Sequence, residues 1–349
     1  MTPLFAIAGT APKRDRTAAF APLVDTFGRV HTNLRISVTD RCNIRCFYCM
    51  PAEHVQFLPR NEILSFEEIA HFARAMARCG VNKLRLTGGE PLVRAELHKL
   101  VQMLVQIPGI DDVALTTNGI LLAEQAHALK AAGLHRLNVS LDSLSEATFQ
   151  KISRREGLDR ILNGIFTAQQ VGFTRIRLNA IAIRGLTEAE VLPLAKFARQ
   201  HGMELRFIEY MPLDADGNWQ HDQVLGGEEI RRMLQAEFGA IEPLVDTDPS
   251  QPAVDYRYTD GGGTLGFINP VTQPFCSTCN RLRLTAEGKV RNCLFSMEEW
   301  DVRDLLRNQA DDAEIIDQVR ASIVAKKPGH GIDDATFVKP QRAMYQIGG

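Results

Sequence analysis

The sequence predicts an α/β fold made of six consecutive βα units, and three features carry that reading. Short β-branched or leucine-rich runs alternate with helical patterns from Leu34 to Glu209. Glycine repeatedly stands between the end of a helical pattern and the next run, as at Ala132-Gly133, Val171-Gly172 and His201-Gly202. No other internal repeat and no low-complexity segment interrupts the rhythm. Six such units suit either an open doubly wound sheet or a partial (βα)6 barrel, and in both the ligand site lies beyond the C-terminal ends of the strands.

The strands are expected over Leu34–Val38, Lys83–Leu86, Asp112–Thr116, His135–Leu141, Arg175–Ile183 and Glu204–Glu209. Between the first two, Ser65-Phe66-Glu67-Glu68 forms a capping box. It opens a helix whose Ile69, Phe72, Ala73 and Met76 share one face and which stops at Gly80. After about Met211 the βα rhythm ends, and a loop rich in Asp, Gly and Pro places a boundary near Asp214 to Val224. Beyond it lie a helix over Glu228–Phe238, strands over Val254–Tyr258 and Thr264–Ile268, and helices over Met297–Asn308 and Asp312–Ala325. The expected division is an N-terminal extension over 1–24, an α/β core over 25–213 and a smaller α+β region over 214–349 that packs on the core.

Composition narrows the function. The chain has 349 residues, 45% hydrophobic and 23% charged, which excludes disorder, collagen and a coiled coil. Forty Lys+Arg against 42 Asp+Glu leave a net charge of −2, so no broad basic surface addresses a nucleic acid or an anionic membrane. An anionic ligand must be met by a local cluster. The apolar stretches, such as Leu4–Gly9 and Val113–Leu115, are far shorter than a membrane span. The basic Lys13–Arg16 follows the first apolar run, the reverse of a signal peptide, so a cytoplasmic protein is expected.

Seven cysteines are too few for a disulfide scaffold in a chain of this size. Cys42, Cys46 and Cys49 form C-x3-C-x2-C directly after the first strand. Three thiols without a fourth ligand at spacing fit structural zinc poorly and suit an iron-sulfur cluster with one open iron. Zinc with a distant fourth ligand, or inert buried thiols, remain open at this point. Cys276 and Cys279 form C-x2-C, with Cys293 following after thirteen intervening residues, a second incomplete set between basic, strand-like flanks. Cys79, at the end of the first amphipathic helix, reads as a core thiol. No Walker A loop is present, so P-loop nucleotide hydrolysis is not supported, and the His residues form no H-x3-H or HExxH pair.

With these residues in view, the chain resembles the radical S-adenosylmethionine (radical SAM) superfamily, whose mark is C-x3-C-x2-C with an aromatic residue, here Tyr48, before the third Cys. Gly88-Gly89-Glu90-Pro91 at the end of the second strand matches that superfamily's GGEP motif. Within it, LRISVTDRCNIRCFYCMP, LRLTGGEPL, TTNG, NVSLD, EYMP, C-x2-C-N-R-L-R-L and the closing Gly-Gly are similar to the GTP 3',8-cyclase family of molybdenum cofactor biosynthesis. The resemblance runs from about Asp25 to the C-terminus. It implies a partial (βα)6 barrel with two 4Fe-4S clusters. The activity it implies is reductive cleavage of SAM to a 5'-deoxyadenosyl radical. That radical takes the 3' hydrogen of GTP, and C3' then bonds to C8 to give (8S)-3',8-cyclo-7,8-dihydroguanosine 5'-triphosphate. An external reductant and a downstream cyclic pyranopterin monophosphate synthase are the implied partners, with the chain a monomer or homodimer.

Residue by residue, the resemblance implies Cys42, Cys46 and Cys49 as ligands of the SAM-binding cluster, and Cys276, Cys279 and Cys293 as ligands of the cluster that meets the substrate. It implies Tyr48, Gly89, Ser140 and Met211 as SAM contacts. Arg35, Arg85, Thr116, Arg177, Arg281, Leu282 and Arg283 match the GTP-contacting positions. Arg177 stands where the family pattern usually has Lys, and keeps the charge in a planar fork. Arg177 and the terminal Gly348 and Gly349 take catalytic roles in this reading, although composition alone makes that tail a frayed end. Arg35 and Arg85 sit inside apolar runs, where an unpaired charge is costly, which favours a ligand-facing role for both.

Overall fold

The computed structural model describes residues 19–245, 247–332, 334 and 337–348. Gly349 and most of the N-terminal extension, residues 1–18, lie outside the described residues.

In chain order, β1 (Asn33–Ser37) leads through the first cysteine segment to α1 (Phe66–Ala77). β2 (Lys83–Thr87) is followed by α2 (Leu97–Val105), β3 (Asp112–Thr117) by α3 (Leu122–Ala131), and β4 (Arg136–Ser140) by α4 (Glu146–Ser153) and α5 (Leu158–Gln170). β5 (Ile176–Ala182), α6 (Val191–Gln200) and β6 (Glu204–Glu209) complete the series of units. The rest of the chain supplies α7 (Gly227–Phe238), β7 (Ile241–Pro243), β8 (Val254–Tyr258) and β9 (Thr264–Ile268). It ends with β10 (Arg281–Leu284), β11 (Lys289–Arg291), β12 (Trp300–Asp301), α8 (Arg303–Arg307), α9 (Asp312–Val324) and α10 (Met344–Ile347).

One sheet contains all twelve strands, in the order β12-β11-β10-β1-β2-β3-β4-β5-β6-β9-β8-β7. β1 to β6 pair in parallel, each with the next. The C-terminal part continues the sheet at both edges, with β10 parallel to β1 and β9 parallel to β6. Alternation along each strand sorts the side chains. Leu34, Ile36, Leu84 and Leu86 are buried on the helix-facing side, whereas Arg35, Arg85, Asn138, Asn179 and Arg206 line a single central cavity. A sheet whose β1 to β6 inner faces meet around one cavity is a partial (βα)6 barrel rather than an open doubly wound sheet.

The helices follow from the pattern. Ser65 caps α1 by accepting from the Glu68 amide at 3.1 Å, and the Glu68 carboxylate returns the bond to the Ser65 amide at 2.6 Å. Ile69, Phe72 and Met76 on that helix are fully buried, each stabilising the fold by roughly 1.5–3 kcal/mol.

One expectation is corrected. Of Met297–Asn308, only Arg303–Arg307 forms an α-helix. Trp300 instead pairs with Val290 in the sheet, and Glu299 is drawn out of any helix by Arg291 and Arg342. The short strands β7, β10, β11 and β12 have too few residues to show a period in sequence.

Candidate active site

The loop after β1 carries the first cysteine set, and backbone contacts with the loop after β2 hold it in place. The Gly89 amide donates to the Thr39 carbonyl at 2.7 Å, and the Glu90 amide to the Arg41 carbonyl at 2.7 Å. So close an approach requires glycine: a Cβ on Gly88 would lie 2.5 Å from the Thr39 oxygen, and one on Gly89 2.7 Å from the Asp40 oxygen. Glu90 then ties in β3, accepting from the Thr117 hydroxyl at 2.7 Å and the Asn118 amide at 2.6 Å. Asn118 in turn donates to Asn43 at 2.7 Å, beside Cys42. Burial pushes the Glu90 carboxyl up to about 7 against these bonds.

A cavity of about 300 Å³ lies at the C-terminal ends of the strands, and Cys42, Cys46, Cys49, Cys276, Cys279 and Cys293 are all on its wall. Tyr48, Gly89, Ser140 and Met211 line the same space. The Tyr48 hydroxyl donates to Asp142 at 2.7 Å, and the other oxygen of that carboxylate accepts the Ile181 amide at 2.8 Å, which fixes the aromatic ring over the cysteine loop.

The second cysteine set enters through β10. Its parallel register with β1 sets Arg283 beside Arg35 and Arg281 beside Asn33, so the segment after Cys279 faces the strand that leads into Cys42. Arg29 holds this segment from outside, donating to the Cys276 carbonyl at 2.7 Å and pairing with Asp25 at 2.5 Å. The C-terminal tail closes the remaining side. Tyr345 and Ala343 pack on Met50 next to Cys42 and Cys49, and the Arg283 guanidinium donates to the Gly348 carbonyl.

Around Arg35 and Arg85 the charge is one-sided. Arg35 and Arg85 are held below their usual range, first by burial and then by neighbouring arginines, with no carboxylate among the groups that act on either. Arg283 is depressed by burial and by Arg281. Arg35 Nε and Arg281 Nη1 are buried without a hydrogen-bond partner. Cations in this state call for an anion from outside the chain.

The cysteine sets fit thiolate-bound iron. Burial pushes Cys42 up to about 11 and also raises Cys46 and Cys49, each of which lies within electrostatic reach of another cysteine of the set. Cys279 is raised by burial but pulled down to about 7 by Arg281 and Lys326. Metal coordination deprotonates such thiols outright. Among the described residues no three Cys, His, Asp or Glu side chains clasp a single ion. A cube, which spreads its thiolates over separate irons, asks for no such convergence.

Arg35, Arg85, Thr116, Arg281 and Arg283 share the cavity wall, and Gly348 sits at its edge against Thr87 and Ser37. Two expected contacts lie elsewhere. Leu282 is fully buried on the opposite side of β10. Arg177 is not on the cavity wall, and its Nε donates to Glu204 at 2.6 Å. Arg206, Asn138, Asn179 and Asp142 on the wall were not anticipated. The period-two alternation that exposes Arg35 and Arg85 also places Asn138, Asn179 and Arg206 inward, and counting it along every strand finds them.

Residues 36–198 match the Radical SAM superfamily, and residues 203–332 match Molybdenum Cofactor Synthesis C. A GTP 3',8-cyclase of Rhodopirellula baltica is 51% identical over 330 residues, covering 94% of this chain and 92% of the relative. Another, of Mycolicibacterium smegmatis, is 46% identical and covers 98% of this chain and 95% of the relative. Among solved structures, SuiB of Streptococcus suis bound to S-adenosylmethionine is similar with a TM-score of 0.58 at 14% identity, over 82% of this chain and 65% of that longer one, a likeness that bears on the fold alone. Identity of this extent over nearly the whole of both chains, together with two cysteine sets on one barrel cavity, shows that the chain belongs to the GTP 3',8-cyclase family of radical SAM proteins.

Proposed function

We infer that this chain is a GTP 3',8-cyclase, a lyase that uses SAM and two 4Fe-4S clusters to join C3' of GTP to C8 of its own base. The observation that carries the reading is a single cavity with a cysteine triplet on either side and, between them, arginines that lack carboxylate partners. The first cluster, when bound, supplies the reductive cleavage of SAM that yields the hydrogen-abstracting radical. Cys42, Cys46 and Cys49 would hold it, and Cys276, Cys279 and Cys293 would hold the second beside the guanine. Tyr48, Gly89, Ser140 and Met211 would orient SAM.

Arg35, Arg85, Arg281 and Arg283 would receive the triphosphate and ribose, with Thr116 as a neutral partner. A triphosphate carries about four negative charges near neutral pH, and charge-assisted bonds from Arg are roughly twice as strong as neutral ones. Gly348, with Gly349 after it, would complete the wall where no side chain fits. Arg177 shares the inward face of β5 with Asn179 and would act from below the cavity, through its charge on Arg85, unless substrate draws it from Glu204. The core over 25–213 is proposed to bind SAM, and the region over 214–349 to bind the substrate.

The partners in this reading are an external reductant and a downstream synthase that rearranges the product. Among the described residues no helix is long and apolar enough to cross a membrane. A radical SAM peptide-modifying enzyme or a zinc module accounts less well for the unpaired arginines. Anaerobic turnover with SAM, dithionite and GTP tests the reading: 5'-deoxyadenosine must rise in step with a cyclised guanosine triphosphate. Deoxyadenosine without that product, or stoichiometric zinc in place of iron, would overturn it.

A further inference from the structure

Lys326 stands two residues past the end of α9 and is only 5% exposed. Its ammonium donates to the Cys279 sulfur at 3.5 Å and to the Arg281 carbonyl at 3.0 Å. The charged and titratable groups that act on it most strongly are Cys279, Cys293, Arg281 and Arg29, with His31 also within electrostatic reach, and no carboxylate is among these. A buried ammonium costs several kcal/mol of desolvation unless an anion offsets it. Here the anions that act on it most strongly are the thiolates of the second cysteine set.

The position of Lys326 is held from two sides. Its own amide bonds the Ile323 carbonyl at the end of α9, and Arg29 grips the next two residues through the carbonyls of Lys327 at 2.8 Å and Pro328 at 3.2 Å. Asn292, beside Cys293, donates to the Ser322 carbonyl at 2.7 Å and ties α9 to the same cysteine set. The ammonium is therefore fixed behind one thiol, on a frame that also carries the other two cysteine segments.

We propose that Lys326 is a positioning residue that sets the reduction potential of the second cluster through a fixed charge and an N–H···S bond to Cys279. This rests on the assignment of Cys276, Cys279 and Cys293 as ligands of that cluster. One-electron reduction adds a negative charge to the cluster. A buried ammonium 3.5 Å from a ligand sulfur favours that more negative state and raises the potential, because hydrogen bonds to the sulfurs and local charge are what tune such clusters. The first cysteine set meets its cation differently: Arg45 acts on Cys42 but donates to the Cys42 carbonyl at 2.7 Å rather than to a sulfur, and the groups that act on Cys46 are other cysteines, Asp142 and Tyr48. The same barrel thus gives its two clusters different electrostatic surroundings.

The test is an EPR-monitored redox titration, under anaerobic conditions, of the reconstituted full chain. It is run in a background where Cys42, Cys46 and Cys49 are all changed to Ser, so that only the second cluster is read. Iron content checks the underlying assignment: about four irons per chain are expected in the parent, and none overturns the assignment and the proposal with it. With the cluster present, Lys326→Met is expected to lower the midpoint potential. Lys326→Gln, which keeps a donor but loses the charge, should fall between Met and the parent. A Met variant with the parent's midpoint, or a higher one, overturns the proposal. Should Lys326→Met fail to hold iron, the Gln variant decides alone, and an unshifted midpoint there overturns it equally.

Discussion

Arg283 and Gly348 are joined by a hydrogen bond from the guanidinium to the carbonyl oxygen, so the strand that carries the second arginine pair also anchors the end of the chain. A Cβ on Gly348 would lie 2.5 Å from Thr87 Oγ1 and 3.0 Å from Ser37 Cβ, at a backbone φ of 81° that side chains resist. Gly348→Ala should therefore expel the tail from the barrel while leaving the rest folded. Cyclised product is expected to fall on the order of 100-fold through misplacement of substrate, with SAM cleavage retained. Chromatographic quantification of deoxyadenosine and product in one reaction checks it, and equal loss of both would contradict it.

Gly89→Ala acts on the other motif. The new methyl would press on the Asp40 and Arg41 carbonyls, where neither backbone can yield, so a loss of roughly 1–3 kcal/mol is expected. SAM affinity should fall with it. Denaturant unfolding and equilibrium binding of SAM measure the two effects.

Arg35→Met separates stability from function. Arg35 is buried with Nε unpartnered and two arginines pressing on it, and replacing a poorly compensated buried ion with an apolar side chain stabilises by about 1–4 kcal/mol in comparable cases. The melting temperature should rise while affinity for GTP falls by roughly 10-fold or more, the worth of one bond to a charged group. A variant that melts lower and binds GTP as before would show that the charge is structural.

Glu204 accepts from both Arg177 and Arg206, at 2.6 and 2.5 Å. Burial raises its carboxyl, but the two guanidiniums outweigh that and hold it below the ordinary range. Glu204→Gln leaves Arg177 without its anion and the buried Arg206 with Asp255 alone, at 3.2 Å, and should cost about 3 kcal/mol, whereas Glu204→Asp should cost less. Unfolding free energies of the three proteins at pH 7 decide it.

His31 sets a pH dependence. It is fully buried. Burial and then Lys326 push its pKa down to about 4, against the opposing pull of Asp25, with Arg29 contacting it through its carbonyl. The unfolded value is near 6.5. Between these values the unfolded chain binds the extra proton, so the contribution of His31 is complete above pH ~6.5 and is lost as pH falls toward 4, by about 3 kcal/mol in all. His31→Gln should flatten the slope of unfolding free energy against pH in that window relative to wild type. Parallel slopes would refute it.

Much of this protein is local, and the local part is legible in the residues. Cys42, Cys46 and Cys49 fall within eight consecutive positions, and Gly88 to Pro91 close a strand. The capping box at Ser65 and the alternation that turns Arg35 and Arg85 inward depend only on near neighbours, because helix and strand periods are properties of short segments. Tertiary structure decided what meets across the barrel. Arg283 stands beside Arg35 only because β10 returns to pair in parallel with β1. Arg206 reaches the cavity while Arg177, on the neighbouring strand, does not, although both bond Glu204. Lys326, in an unremarkable helix-end sequence, acquires a role only when α9 brings it behind Cys279. Sheet register and helix docking are non-local, and charges more than 200 residues apart in sequence become partners only when the sheet curls and removes the water between them.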